Sequence, residues 1–226
     1  MYRKTVKLRS ENMEIDYSNI LKNTYLLMSL SLLIAAIGVY IGVEFIKHFS
    51  VGDKILILGI EFGLLLGILL AKNIPIFNII LLYSFTFTTG LSFAAMLTNP
   101  FLQMGADIII FIQFFFISSL TFIAISFYAI VTEKDFNFLG AILTSTFSIV
   151  LIAFISNMFI GSTTLALIIA VCFSILFCAA ILYDTQAIIK KEIDSPVEAC
   201  LILYINFIGL LSSLRFLHLV LNKDIN

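Results

Sequence analysis

Charge is what this chain has least of. Only 12% of its 226 residues are Asp, Glu, Lys or Arg, while 61% are hydrophobic and the mean hydropathy is +1.12. An ordinary soluble domain holds roughly 25% charged and 45–50% apolar residues, and a water-soluble fold has no way to hide this much apolar surface. Cysteine is also scarce. Cys172, Cys178 and Cys200 lie in or beside apolar runs, at spacings that exclude a zinc ribbon and a disulfide framework and point to buried structural thiols. There is no tryptophan to mark a particular lipid depth, and no basic stripe of the kind that nucleic acid requires. No cleavable signal peptide is evident, because residues 1–22 are polar and the first apolar run is long enough to span. That run is expected to stay as an anchor.

What remains is a series of long apolar runs. At about 20 residues per membrane helix, the chain has room for seven, and seven can be read off. They are Thr24 to Val43, Ile55 to Ala71, Ile76 to Leu97, Ile108 to Val131, Phe136 to Ser156, Thr163 to Tyr183, and a last one from Val197. Pro75 suits a first helical turn, and Asn99-Pro100 suits a helix end. The Thr-rich stretch ending at Gly90 offers small faces for close helix packing. The expected organisation is a polar tail over 1–22, a seven-helix all-α membrane domain over 23–222 and a short tail over 223–226. With the N-terminus inside, nine Lys and Arg fall on the inner side, whereas the outer loops hold only Lys47 and Lys54. This bias predicts that orientation and places Lys223 and Asp224 outside. The seventh span carries Asn206 and Arg215, and polar groups at membrane depth are better kept away from lipid, so this helix is expected at the centre of the bundle.

Ionisable residues inside a membrane are costly and are the first place to look for function. Here they are Glu61, Asp184 and Arg215. Asp184 stands about seven residues, ~10 Å, from the inner end of span six if that helix runs to Lys191, and Asn206 about nine residues, ~14 Å, from the start of span seven. In an antiparallel hairpin the two reach similar depth. Each group has a plainer reading beside the functional one: Asp184 as a helix-end residue in the headgroups, Glu61 with Arg215 as a static pair, Lys72 as one more inner positive charge. His48 and His218 read as interfacial, with no partners for a metal site. The 23 phenylalanines read as packing.

Five segments in order give the chain a family resemblance: Thr24-Tyr25-Leu26-Leu27, Gly90-Leu91-Ser92, Thr132-Glu133-Lys134-Asp135-Phe136-Asn137-Phe138-Leu139-Gly140, Leu182-Tyr183-Asp184-Thr185-Gln186 and Leu203-Tyr204-Ile205-Asn206-Phe207-Ile208. Through them it resembles the Bax inhibitor family over nearly its whole length. The resemblance implies seven helices with the last surrounded by six, and a proton-sensitive calcium leak across the membrane. In that family two aspartates on the sixth and seventh helices share a proton. Asp184 matches the first and Asn206 stands at the second, which removes the like-charge effect that separates the pKa values of a carboxylate pair. Glu61, Lys72 and Arg215 resemble the family's acidic residue in span two, the basic residue eleven positions later and the arginine of span seven, the last at a spacing about one residue short. Two latches follow as expectations, Lys72 with Asp184 and Glu61 with Arg215.

Ionised Asp184 would hold the inner side closed and, with nearby oxygens, offer a weak Ca²⁺ position. No other cofactor is implied. The expected partners are the lipid bilayer, Ca²⁺ and protons, and the expected location is a bacterial cytoplasmic membrane. An aspartyl protease would need a second acid where Asn206 stands, and a serine protease would need a histidine deep in a span, so no enzyme is expected. Self-similar halves, the mark of many transporters, are absent. The rival from another class is a non-transporting regulator that binds other membrane proteins, such as a membrane-anchored ATP-dependent protease, with residues 1–22 as its handle.

Overall fold

The computed structural model describes residues 2–45, 49–72, 74–97 and 108–223. Its described residues form seven helices and no strand: α1 Tyr2–Phe45, α2 Val51–Leu70, α3 Pro75–Leu97, α4 Ile108–Val131, α5 Leu139–Ile160, α6 Thr163–Ile189 and α7 Pro196–Lys223. Lys47, His48, Asn99, Pro100 and Asp224, which entered the expectations for loops and tails, lie outside the described residues, as do the side chains of Arg3, Lys4, Lys7 and Arg9.

Among the described residues, six helices are long and apolar enough to cross a membrane, α1 through its portion Asn19–Phe45 together with α3, α4, α5, α6 and α7. This is an all-α, multi-pass integral membrane architecture. The shortfall against seven spans lies at α2, whose 20 residues contain Asp53, Lys54 and Glu61. Residues 1–22 differ from expectation as well: most of the polar tail is helical, and α1 runs unbroken from Tyr2. The segment has ordinary helix formers and no proline or glycine to stop it. In α5 the helix starts at Leu139 rather than Phe136 because residues 132–138 form a structured connection.

Helix ends follow local chemistry. Ser50 caps α2 in a reciprocal box, its hydroxyl accepting from the Asp53 backbone N–H at 3.3 Å while the Asp53 carboxylate accepts from the Ser50 N–H at 2.8 Å. Bonds from the Ser50 hydroxyl, then from its backbone, hold this solvent-exposed Asp53, which precedes the apolar run, below the ordinary carboxylate pKa. Pro75 is the first residue of α3. Gly161 ends α5 in the left-handed region at φ 68°, its N–H donating to Asn157 O at 2.8 Å.

The chain divides into two compact units, residues 1–101 with 188–201 and residues 102–187 with 202–226. In the first, α1 and α3 approach backbone to backbone. The buried positions of α1, Thr24, Met28, Ser31, Ala35, Gly38 and Gly42, recur every three or four residues and are mostly small. A Cβ on Gly90 would fall on the carbonyl of Ala35, and one on Gly38 on the carbonyl of Phe87. Only glycine permits this approach, the membrane analogue of a small-residue interface.

Aromatic rings bind the second unit. Phe207 of α7 meets Phe115 and Phe122 of α4 edge to face at 5.6 and 5.9 Å, and Phe147 and Phe154 of α5 reach Phe173 of α6. Such pairs add about 0.5–1.5 kcal/mol each beyond the area they bury. α6 and α7 run antiparallel in register: Ser174 donates to or accepts from Ser213 at 3.0 Å, Phe177 fills the space over Gly209, and Asp184 meets Asn206. Burial is uneven, reaching 61% over the apolar window of α7 but 6% over that of α5.

Candidate functional site

The C-terminal end of α6 holds four consecutive residues turned in four directions, since each step along a helix rotates by about 100°. Tyr183 lies against the start of α5, where a Cβ on Gly140 would sit 2.8 Å from the tyrosine hydroxyl. Asp184 faces α7, and its Oδ2 accepts from the Asn206 amide at 2.5 Å. Thr185 is fully buried, with a hydroxyl that has no hydrogen-bond partner among the described residues. Gln186, also buried, spans the α4–α5 connection with both ends of its amide: Nε2 donates to Lys134 O at 2.8 Å and Oε1 accepts from the Phe136 N–H at 3.2 Å. Helix α6 ends at Ile189, so Asp184 stands five residues, about 7.5 Å, from that end rather than seven.

The expected juxtaposition of Asp184 and Asn206 is present. An ionised carboxylate has only acceptors, and the amide NH₂ offers the matching donor. Asp184 is half-buried and Asn206 is buried. Whether one carboxylate suffices for Ca²⁺ is a matter of donor count. Among the described residues no three of His, Cys, Asp and Glu converge.

Lys72 engages a carboxylate other than the one expected. It pairs with Glu198 in the first turn of α7, Nζ to Oε1 at 2.7 Å. Both belong to the first unit, whereas Asp184 belongs to the second. The acid is where the macrodipole favours it, at a helix N-terminus, and a lysine at the end of α2 is within reach. Nearby, the Ser31 hydroxyl and Cys200 thiol meet at 3.8 Å, joining α1 to the start of α7.

Glu61 and Arg215, expected as a pair, belong to different units, and each has its own surroundings. Both Glu61 oxygens accept hydroxyls from α3, Oε1 from Thr89 at 3.1 Å and Oε2 from Ser92 at 2.6 Å. Thr89 and Ser92 are three residues apart and so share a helix face. Arg215, in the second unit, is 4% exposed, and its Nη1 has no hydrogen-bond partner among the described residues. His218 lies edge-on to Phe114 with centroids 5.2 Å apart. Of the cysteines, Cys200 is buried and Cys172 and Cys178 are half-buried.

Three contributors were not singled out from the sequence. Gln186 lay inside a quoted motif without a role. Ser92 likewise stood in Gly90-Leu91-Ser92. Glu198 carried a legible signal, Ser195 three residues before it in a capping-box pattern, and the Glu198 N–H does reach Ser195 Oγ at 3.5 Å.

Long apolar helices, ionisable groups met by hydroxyls and amides, and a carboxylate–amide pair joining α6 to α7 define a multi-pass membrane protein with a polar site among its helices. The sequence profile described as inhibitor of apoptosis-promoting Bax1 matches residues 17–224. The chain belongs to that Bax inhibitor family. It is 33% identical over 202 residues to the Campylobacter jejuni protein Cj0236c, covering 88% of this chain and 87% of the relative. A Vibrio cholerae membrane protein is 28% identical over 93% of each chain. The Golgi anti-apoptotic protein of vaccinia virus strain Lister is 28% identical over 88% of this chain and 82% of its own.

Proposed function

We propose that this protein is a calcium-permeable leak of a bacterial cytoplasmic membrane, responsive to pH through Asp184. The observation that carries this function is the Asn206 to Asp184 hydrogen bond joining the inner turns of α6 and α7. Protonating Asp184 removes the negative charge that the amide NH₂ now meets, which weakens the bond and loosens the two helices. With a single acid the site takes up one proton, and no second carboxylate spreads the titration. Calcium is cargo in this scheme, held weakly by Asp184, and the scheme has neither catalysis nor a cofactor.

α2 counts as the seventh span. In its favour, the charged group deepest in it, Glu61, is met by Thr89 and Ser92, so no hydrocarbon faces it unsatisfied. The N-terminus lies inside, in keeping with the distribution of Lys and Arg, and the heavy burial of α7 favours a central position for it. The inner seal involves Lys72 through Glu198.

The test is calcium flux into liposomes loaded with a calcium-sensitive dye, from pH 5 to 8, for the wild type, Asp184→Asn and Asn206→Asp. The expected result is a pH-dependent leak that loses its pH dependence in Asp184→Asn and gains a steeper or displaced one in Asn206→Asp. No flux above empty liposomes in any of the three would remove the leak.

A second function, a regulator that binds other membrane proteins, draws on two observations: the helix continuing from the first span back to Tyr2, and the anti-apoptotic description of the viral relative. Deleting residues 2–18 separates the two, because a leak survives the deletion whereas a partner-binding handle does not.

A further inference from the structure

We propose that Gln186 is a positioning residue for the Asp184–Asn206 pair, fixing the rotation of the inner end of α6 by tying it to the α4–α5 connection. The tie has two points and a sense. An amide that donates to Lys134 O and accepts from the Phe136 N–H satisfies the backbone as a neighbouring β-strand would, and it fixes the side chain in direction as well as in place. The connection it grips is itself built. Lys134 N–H donates to Thr132 Oγ1 at 3.3 Å, Asn137 N–H to Asp135 Oδ1 at 3.0 Å and Leu139 N–H to Phe136 O at 2.9 Å, while the Phe136 ring rests between Tyr128 and Phe138. A second tie lies three residues back, where Gly140 makes room for Tyr183.

Asp184 sits between these two ties. A helix held on both sides of a residue cannot turn that residue away without breaking one of them. When Asp184 and Asn206 part, α6 therefore stays with the α4–α5 connection, and the separation takes place at the α6–α7 contact. Gln186 acts through Asp184 and touches neither proton nor ion. Its role rests on the proposed function only for what the pair does once positioned.

The experiment uses the full-length protein in detergent and reads two signals that need no transport. One is hydrogen exchange of the Phe136 amide. The other is the infrared carboxylate band assigned to Asp184 by its disappearance in Asp184→Asn. In Gln186→Leu the Phe136 amide is expected to exchange roughly tenfold faster, the equilibrium weight of about one hydrogen bond, and the Asp184 band is expected to shift. Phe138→Ala, which alters the connection but leaves the tie, should leave the band in place. A Phe136 amide unchanged in Gln186→Leu, or a faster amide with an unmoved Asp184 band, would overturn the proposal. Should Gln186→Leu fail to fold, Gln186→Glu keeps the acceptor for Phe136 and loses the donor to Lys134. A shifted band there supports the tie, and an unshifted one overturns it. Flux measured on the same samples decides a different question, since a silent wild type removes the leak and leaves the amide and the carboxylate band to decide on Gln186.

Discussion

The two units of this protein solve the same problem, a carboxylate on an apolar helix, with different chemistry. Glu61 in the first unit faces two hydroxyls, and a hydroxyl donates or accepts as required. Asp184 in the second faces the NH₂ of an amide, which only donates. The two carboxylates thus meet different donors: the hydroxyls around Glu61 can exchange donor for acceptor roles, whereas the Asn206 NH₂ can only donate to Asp184. Packing differs in parallel. α1 and α3 touch through glycine, which tolerates no added atom, and α4 to α7 touch through rings, which leave room to shift.

The largest test of this contrast is Gly90→Val. Its side chain would meet the Ala35 carbonyl, and the expected cost is roughly 3 kcal/mol or more, overpacking with no soft neighbour to yield. Thermal unfolding in detergent measures it, with Gly59→Ala as a control that loses no stability, because nothing lies within 4 Å of that helical position.

Next is Phe207→Ala, which removes a fully buried ring from between two others. A loss of about 3 kcal/mol is expected, confined to unit two and visible as faster exchange in α4 and α7 before α1 and α3. Equal loosening of both units would break the contrast.

A smaller effect separates the carboxylates directly. Glu61→Gln keeps an acceptor for the hydroxyls and should change stability by less than about 1 kcal/mol. Asp184→Leu strands the Asn206 amide and should cost about 1–3 kcal/mol. Chemical denaturation of the two variants decides, and equal costs would show that the donor type is immaterial.

Smaller again is the exposed Lys72–Glu198 bridge. Lys72→Glu and Glu198→Lys should each cost up to about 1 kcal/mol, and the double exchange should recover most of it.

Smallest is a pH effect at the α2 cap. Because the folded state holds Asp53 below the ordinary value of 3.8, its contribution is present above that value and fades as the pH falls through the lower folded one. Protection at the start of α2, taken as exchange relative to the intrinsic rate at each pH, should fall as the pH drops below 3.8 in the wild type, and Ser50→Ala should weaken that dependence.

Much of the fold was legible because a bilayer forces the pattern: apolar runs of fixed length, interrupted by charge. The bounds of α3 and α4 fell within a residue of expectation for that reason. Legibility failed where the pattern is only local. Residues 132–138 look polar and irregular, and nothing in their composition says that Gln186, some fifty residues on, would order them. The helical state of residues 2–18 was masked by their charge, which in a helix is no obstacle. For the site, antiparallel depth alone brought Asp184 to Asn206. It did not point to Glu198 as the partner of Lys72, because the signal for that acid is local, a capping pattern with Ser195 at the start of α7.

The length of α1 has one further consequence. Its 44 residues measure about 66 Å end to end, while a bilayer with its headgroups is about 40–45 Å thick. With Asn19–Phe45 in the membrane, the remaining turns stand off the surface by up to about 25 Å, and they do so as a rod rather than a coil. A rod fixes reach. Whatever meets its tip is held at a set height above the lipid, and each inserted or deleted residue would change that height by about 1.5 Å and its bearing by about 100°, a ruler and a compass in a single element.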